Sequence, residues 1–226
     1  GILAPSGGGK STIVNQIALK ACSFGCTVGL ISLEGARHVL RSKLKDALKG
    51  MVKPNEYQQT LERLFVSQLE QKRIKFNDII TQVELYLCQG AKLIIVDNLD
   101  YISGVGPTAN QDKADCYGDI VELCRERSAH AIMIWQPRSV DVNTTINSGH
   151  QKGFSSVLQD SSNYINVNEV QGLPEHRRFH VEKARESGHK PVFWTIYDPK
   201  SRTTTECLDP RNQDIDSGKI LDFKPR

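Results

Sequence analysis

The sequence predicts an α/β fold: a mostly parallel central sheet flanked by helices, with a β-rich C-terminal part. Short apolar runs alternate with amphipathic stretches along the chain, the signature of strands and helices in turn. The first four apolar runs are nearly continuous in Val, Ile, Leu and Met, as expected of strands covered on both faces. Two late runs form the β-rich part. At 226 residues, 38% of them hydrophobic, the chain is long enough for one domain with a substantial core.

In order, strands are expected over residues 27–32, 64–67, 92–96, 131–135, 164–170, 178–182 and 191–197. Helices are expected over 10–23, 37–49, 55–63, 77–89 and 113–127. Asn77 reads as the N-cap of the fourth helix, Asp78 favours its positive end, and Gly90 reads as the residue that closes it. Residues 136–153 form the longest loop, a length usually functional or disordered. No repeat, low-complexity tract or linker divides the chain. One compact domain is expected over residues 1–208, its first strand clipped ahead of an excised motor domain, with a polar tail over 209–226.

No run of about 18 apolar residues could span a membrane, and no signal-peptide pattern opens the chain. The net charge of +3 is too small to announce a nucleic-acid partner by itself. The six cysteines, at 22, 26, 88, 116, 124 and 207, include no C-x-x-C pair and read as reduced thiols. The expected location is therefore intracellular, cytoplasmic or nucleoid-type, or the mitochondrial matrix, and not secreted.

The strongest local signal is A-P-S-G-G-G-K-S at residues 4–11, followed by Thr12. It fits the phosphate-binding loop pattern, with Ala4 in place of the usual leading glycine. Ser6, Gly7, Gly8 and Gly9 let backbone N–H groups turn onto phosphate oxygens without Cβ obstruction, and the helix that follows aims its positive end at the same anion. Lys10 supplies charge to the β- and γ-phosphates, and the Ser11 hydroxyl a ligand for Mg²⁺. ATP and Mg²⁺ are the implied cofactors.

The run Lys92-Leu-Ile-Ile-Val-Asp97 ends an apolar strand in a carboxylate, at the sheet edge where ligands bind in such folds. Beside a P-loop, Asp97 reads as the magnesium partner rather than as a turn residue; nearby Asp100 reads either as a support behind the site or as a loop residue. A second strand, V-G-L-I-S-L-E, ends in Glu34. That residue is either a base for the attacking water or a first-turn glutamate favoured by the helix dipole.

Together these pieces resemble the RecA-like ATPase domain of DnaB-type hexameric replicative helicases, including phage helicase–primases and Twinkle-like enzymes. The likeness runs over about residues 2–206 and rests on the P-loop, V-G-L-I-S-L-E, K-L-I-I-V-D-N-L, A-I-M-I-W-Q-P-R and E-K-A-R-E-S-G-H, in that order. It implies that Glu34 activates the lytic water and that Gln136 senses the γ-phosphate, on a strand between the P-loop strand and the Asp97 strand. It also implies that Lys183 and Arg185 enter a neighbouring subunit's site as a trans-acting pair. Their period-2 spacing puts both cations on one face of an extended segment, although edge strands often carry such residues simply as solvated charges. Gly35 departs from the family's usual polar residue. Ser162 and Asn163 stand where the family has an acidic residue, and no catalytic role is assigned there.

The resemblance further implies a homo-oligomer, a hexameric ring threading single-stranded DNA, and a primase domain or protein as a partner. Loop candidates for DNA are residues 104–111, 137–153 and 172–178, with Arg138 and Lys152 reaching phosphates and Asn143, Asn147 and Ser148 donating hydrogen bonds. The longest loop lacks aromatic residues for base stacking. His176 and His180 lie in a strand entry and would not share a metal. The expected activity is ATP-driven DNA unwinding. The alternatives are a RecA/RadA- or KaiC-like ATPase without unwinding, and a nucleotide-binding scaffold without turnover.

Overall fold

The computed structural model describes residues 1–69, 74–102, 109–137, 145–150, 158 and 160–212; side chains 109–111 are outside that description. The strands are β1 (Ile2–Leu3), β2 (Val28–Ser32), β3 (Leu64–Gln68), β4 (Leu93–Asp97), β5 (His130–Trp135), β6 (Asn163–Val170), β7 (Leu173–Ala184), β8 (Val192–Asp198) and β9 (Thr203–Cys207). The helices are α1 (Lys10–Ser23), α2 (Arg37–Met51), α3 (Tyr57–Glu62), α4 (Phe76–Cys88) and α5 (Ala109–Glu126).

Among the described residues the strands form one sheet in the order β3-β2-β4-β5-β1-β6-β7-β8-β9. From β3 to β6 every pairing is parallel, and β7, β8 and β9 add antiparallel hairpins. The parallel part is expected because helices cross between its strands; the β-rich end is antiparallel because short turns join its strands directly.

Helices α1, α2 and α3 cover one face of the sheet over Val14, Leu19, Leu30, Leu44, Ile95 and Ile134. Helices α4 and α5 cover the other over Ile31, Ile79, Ile94, Ile120 and Trp135. All five residues of β2 and the last four of β4 are buried, matching their unbroken apolar runs. At Gly29 in β2 a Cβ would lie 2.4 Å from Tyr86 of α4, so glycine is what lets this helix approach the strand.

Three expectations are corrected. The fourth helix begins at Phe76, not after an Asn77 cap. Lys75 caps it, and the carboxylate of Asp78, three residues on, accepts the Lys75 N–H at 3.2 Å. Gly90 does follow this helix in the left-handed region, at φ 88. The strand expected over 64–67 is not covered on both faces: β3 is the sheet edge, with Val66 exposed. Residues 172–178 are not a loop beyond their turn at Gly172, because β7 begins at Leu173. Of the expected tail, Pro210–Asn212 form a short 3-10 turn beside an Asp209–Arg211 ion pair of 2.7 Å, and residues 213–226 lie outside the described residues.

Candidate functional site

The P-loop links β1 to α1 at the carboxyl edge of the parallel strands. Gly7 and Gly9 have φ values of 77 and 86, which favour glycine, and a Cβ at Gly8 would meet the Pro5 ring at 2.8 Å. The glycine run is thus required by backbone shape. Gly9 caps α1 without a side chain, leaving the first-turn N–H groups open to an anion. The Lys10 ammonium lies folded onto the loop, donating to the Pro5 carbonyl at 2.6 Å and the Ala4 carbonyl at 3.2 Å. Burial pushes its pKa below the usual lysine value, against the pull of Asp97, Glu34 and Asp100.

Asp97 ends β4 and is 4% exposed. Burial raises its pKa, with the Ser11 hydroxyl opposing by donating to its carboxylate. Its Oδ1 is buried with no hydrogen-bond partner among the described residues. Ser32 of β2 pairs with Asp97, so Glu34 stands one strand across, about 5 Å, and two residues further along. Glu34 is exposed in the crevice and accepts a hydrogen bond from the Tyr101 phenol, whose pKa burial and then Glu34 raise. Gly35, at φ 81, turns the chain away immediately afterwards; its carbonyl and that of Glu34 accept from the Gln68 amide.

β5 lies between β1 and β4, the position expected for the strand ending before Gln136. The N–H of Ala4 donates to the Trp135 carbonyl at 3.3 Å, and the N–H of Gln136 donates to Asp100 Oδ2 at 2.5 Å. Of the two expectations for Asp100, support of the site is the one these contacts fit. Asp100 ties the end of β5 to the segment after β4, and Lys113 of α5 donates to its carbonyl at 3.1 Å. Lys10, Ser11, Glu34, Asp97 and Gln136 thus meet along one sheet edge.

Residues 2–141 match the model of a family described as AAA domain. The chain belongs to the AAA domain family. In fold it is similar to a solved ATPase domain, with a TM-score of 0.69 and 12% identity over 91% of this chain and 83% of that one. It is also similar to a DnaB-like replicative helicase whose structure and interactions with primase were determined, with a TM-score of 0.71 and 11% identity over 90% of this chain. The AAA domain here spans 57% of that helicase chain. No curated protein matches the sequence. The expected α/β, RecA-like fold of DnaB-type ATPase domains is the one observed.

Lys183 and Arg185 do not join the cluster at the P-loop of the same chain. β6 runs parallel to β1, with Ile165 level with Ile2, and Tyr164 pairs with Lys183. The N–H of Arg185 reaches the Ser162 carbonyl at 2.8 Å. Both cations thus stand at the amino edge of the parallel strands, roughly 10 Å or more from the loop of the same chain at 3.3 Å per residue. A bulge at Glu182 separates the Tyr164 and Ile165 pairings, but it lies ahead of both cations, which stay in register with Tyr164 and Ser162. Lys183 donates to the Leu158 carbonyl, and its pKa is lowered by desolvation and by Arg185.

Of the DNA-facing expectations, Arg138, Asn143 and Lys152 lie outside the described residues. Ser148 donates within the chain, its N–H to Glu182 at 2.9 Å and its hydroxyl to the same carboxylate. Asn147 Oδ1 accepts from Gly149 at 3.0 Å. His176 and His180 form no metal cluster, and none occurs among the described residues. No helix among them is long and apolar enough to cross a membrane.

Sequence reading also missed a depression of about 430 Å³ lined by Thr12, Asn15, Val39, Lys43, Tyr197 and Arg202. It adjoins the first turn of α1 and holds Asn15, 2% exposed, with its Nδ2 unpartnered among the described residues. A buried asparagine in the first helix after a P-loop was the available signal.

Proposed function

We propose that this AAA domain is the motor of a ring-forming, ATP-dependent DNA helicase acting in replication, which hydrolyses ATP at subunit interfaces to move along single-stranded DNA. The carrying observation is the meeting of Lys10, Ser11, Asp97, Glu34 and Gln136 at one edge of a RecA-like sheet. In this reading the backbone of Ser6, Gly7, Gly8 and Gly9, with Lys10, Ser11 and Thr12 at the helix start, holds the phosphates. Lys10 leaves the Ala4 and Pro5 carbonyls for the phosphate oxygens and brings a poorly hydrated charge with it.

Ser11 and Asp97 are an all-oxygen pair suited to Mg²⁺, and the unpartnered Oδ1 of Asp97 has a lone pair to give. An ion held there would supply charge neutralisation for the phosphates. Glu34 accepts the proton of the attacking water, its carboxylate oriented by Tyr101. Gln136 relays the state of the γ-phosphate to the loop that follows β5 and, through Asp100, to the segment after β4. The depression beside Thr12 takes the nucleoside end, with its amide, phenol and two cations offering polar contacts.

Lys183 and Arg185 act on the neighbour's nucleotide; their distance from their own P-loop supports this, because a head-to-tail ring sets two different surfaces of the chain against each other and lets one complete the site of the next. We assign residues 1–208 to the motor and 209–226 to a tail, a hexamer as the assembly, Arg138 and Lys152 to DNA phosphates, and a primase domain or protein as partner. The last follows the DnaB-like relative determined with its primase interactions.

The test is ATP turnover with and without single-stranded DNA, read beside oligomer mass. The reading expects turnover that rises with DNA and appears with ring assembly. Full turnover by a monomer would contradict it. DNA-stimulated turnover without unwinding of a forked duplex would favour the RecA/RadA- or KaiC-like alternative.

A further inference from the structure

Arg177 lies on β7, paired with Glu169 of β6 and Thr195 of β8. Its side chain reaches the P-loop. Nε donates to the Gly8 carbonyl at 3.2 Å and Nη2 to the Gly7 carbonyl at 3.5 Å. Nη1 donates to the carbonyls of Pro174 at 2.6 Å and His176 at 2.8 Å, while Glu169 lies 4.0 Å from Nη2. The side chain is 13% exposed. Four carbonyls and a carboxylate therefore hold the guanidinium as a fixed planar fork, unlike a mobile surface cation.

Those contacts bear on what the loop can bind. Three successive glycines resist peptide rotation less than any other sequence, so residues 7–9 do not choose their own orientation. Across a trans peptide, a carbonyl and the next N–H point in opposite directions. Turning the Gly7 and Gly8 carbonyls toward Arg177 turns the N–H groups of Gly8 and Gly9 away from it. The Gly8 N–H closes the loop on the Pro5 carbonyl at 3.0 Å, and the Gly9 N–H is aimed away from the positive guanidinium. A Cβ built at Gly9 would lie 4.0 Å from Arg177 Nε, so the fork sits directly behind the loop.

We propose that Arg177 is a positioning residue for nucleotide capture, holding the Gly7 and Gly8 carbonyls outward so that the loop stays closed and the Gly9 N–H is set for phosphate before ATP arrives. The inference rests on the nucleotide-site reading and adds a residue that reading did not contain. Arg177 acts through the loop and does not touch the phosphates.

The test measures equilibrium binding of Mg·ATP and Mg·ADP to the wild type and to Arg177→Lys, Arg177→Ala and Lys10→Ala, with thermal midpoints recorded without nucleotide. Both Arg177 variants are expected to bind both nucleotides about tenfold more weakly, the loss of one charge-assisted hydrogen bond. KM for ATP should rise accordingly, with kcat at saturation within about threefold. Arg177→Lys should not rescue, because a point charge cannot hold two carbonyls; its midpoint should stay within about 3 °C of wild type. Should Arg177→Ala fail to fold, Arg177→Lys carries the test. Wild-type affinity in Arg177→Lys overturns the inference, as does wild-type affinity in Arg177→Ala while Lys10→Ala loses nucleotide; in both cases the nucleotide site stands. Failure of the wild type to bind either nucleotide overturns both.

Discussion

Glu34 and Asp97 are neighbouring carboxylates under opposite demands. Glu34 is exposed and, in the proposed mechanism, takes a proton from water, so Glu34→Gln should bind ATP as before and turn it over about 10²–10⁴-fold more slowly, measured by single-turnover hydrolysis. Asp97 is buried, and its raised pKa means that the folded state holds its proton more tightly than the unfolded chain does. Its ionised form therefore costs stability as pH rises through the folded-state pKa. Asp97→Asn should raise the nucleotide-free thermal midpoint at about pH 7–8 by a few degrees, an advantage that shrinks toward the carboxylate range, while abolishing turnover. Both carboxylates were legible in the sequence, because an acid that ends an apolar run falls at the strand's carboxyl edge. Arg177 was not: alternation along a strand does not say which of Arg177 and Arg178 turns toward a loop 169 residues away in sequence.

Among the elements, β2 shows how closely the sheet and its helices fit. Gly29→Ala would put a methyl group 2.4 Å from the Tyr86 ring, which also stacks on Phe65 and bonds Ser67. Chemical denaturation should report a loss of about 1–3 kcal/mol. The central strands were readable because burial on both faces leaves an unbroken apolar run. The edge position of β3 was not, since its Leu-Phe-Val is as apolar as a buried strand. β7 was underestimated because Leu173–Arg177 reads as polar and Pro-containing, yet the hairpin from β6 and pairing with β8 carry it through.

At the scale of the molecule, one sheet presents two chemical edges. The carboxyl edge gathers the P-loop, Glu34 and Asp97, while Lys183 and Arg185 stand at the amino edge of the same chain. The resemblance implied a trans role for the pair but not its place in the sheet, which comes from the parallel pairing of β1 with β6; the neighbour that would complete the site leaves no trace in a single chain. A mixture of Glu34→Gln and Arg185→Ala subunits tests this arrangement most directly, by ATPase rate in assembled rings. Each variant alone should be at least about 100-fold below wild type. Mixed in equal amounts, they should recover activity from the roughly one interface in four that pairs an intact Glu34 with an intact Arg185 across a head-to-tail contact. Wild-type turnover by Arg185→Ala alone, or mixed rings as inactive as their parents, would contradict the shared site.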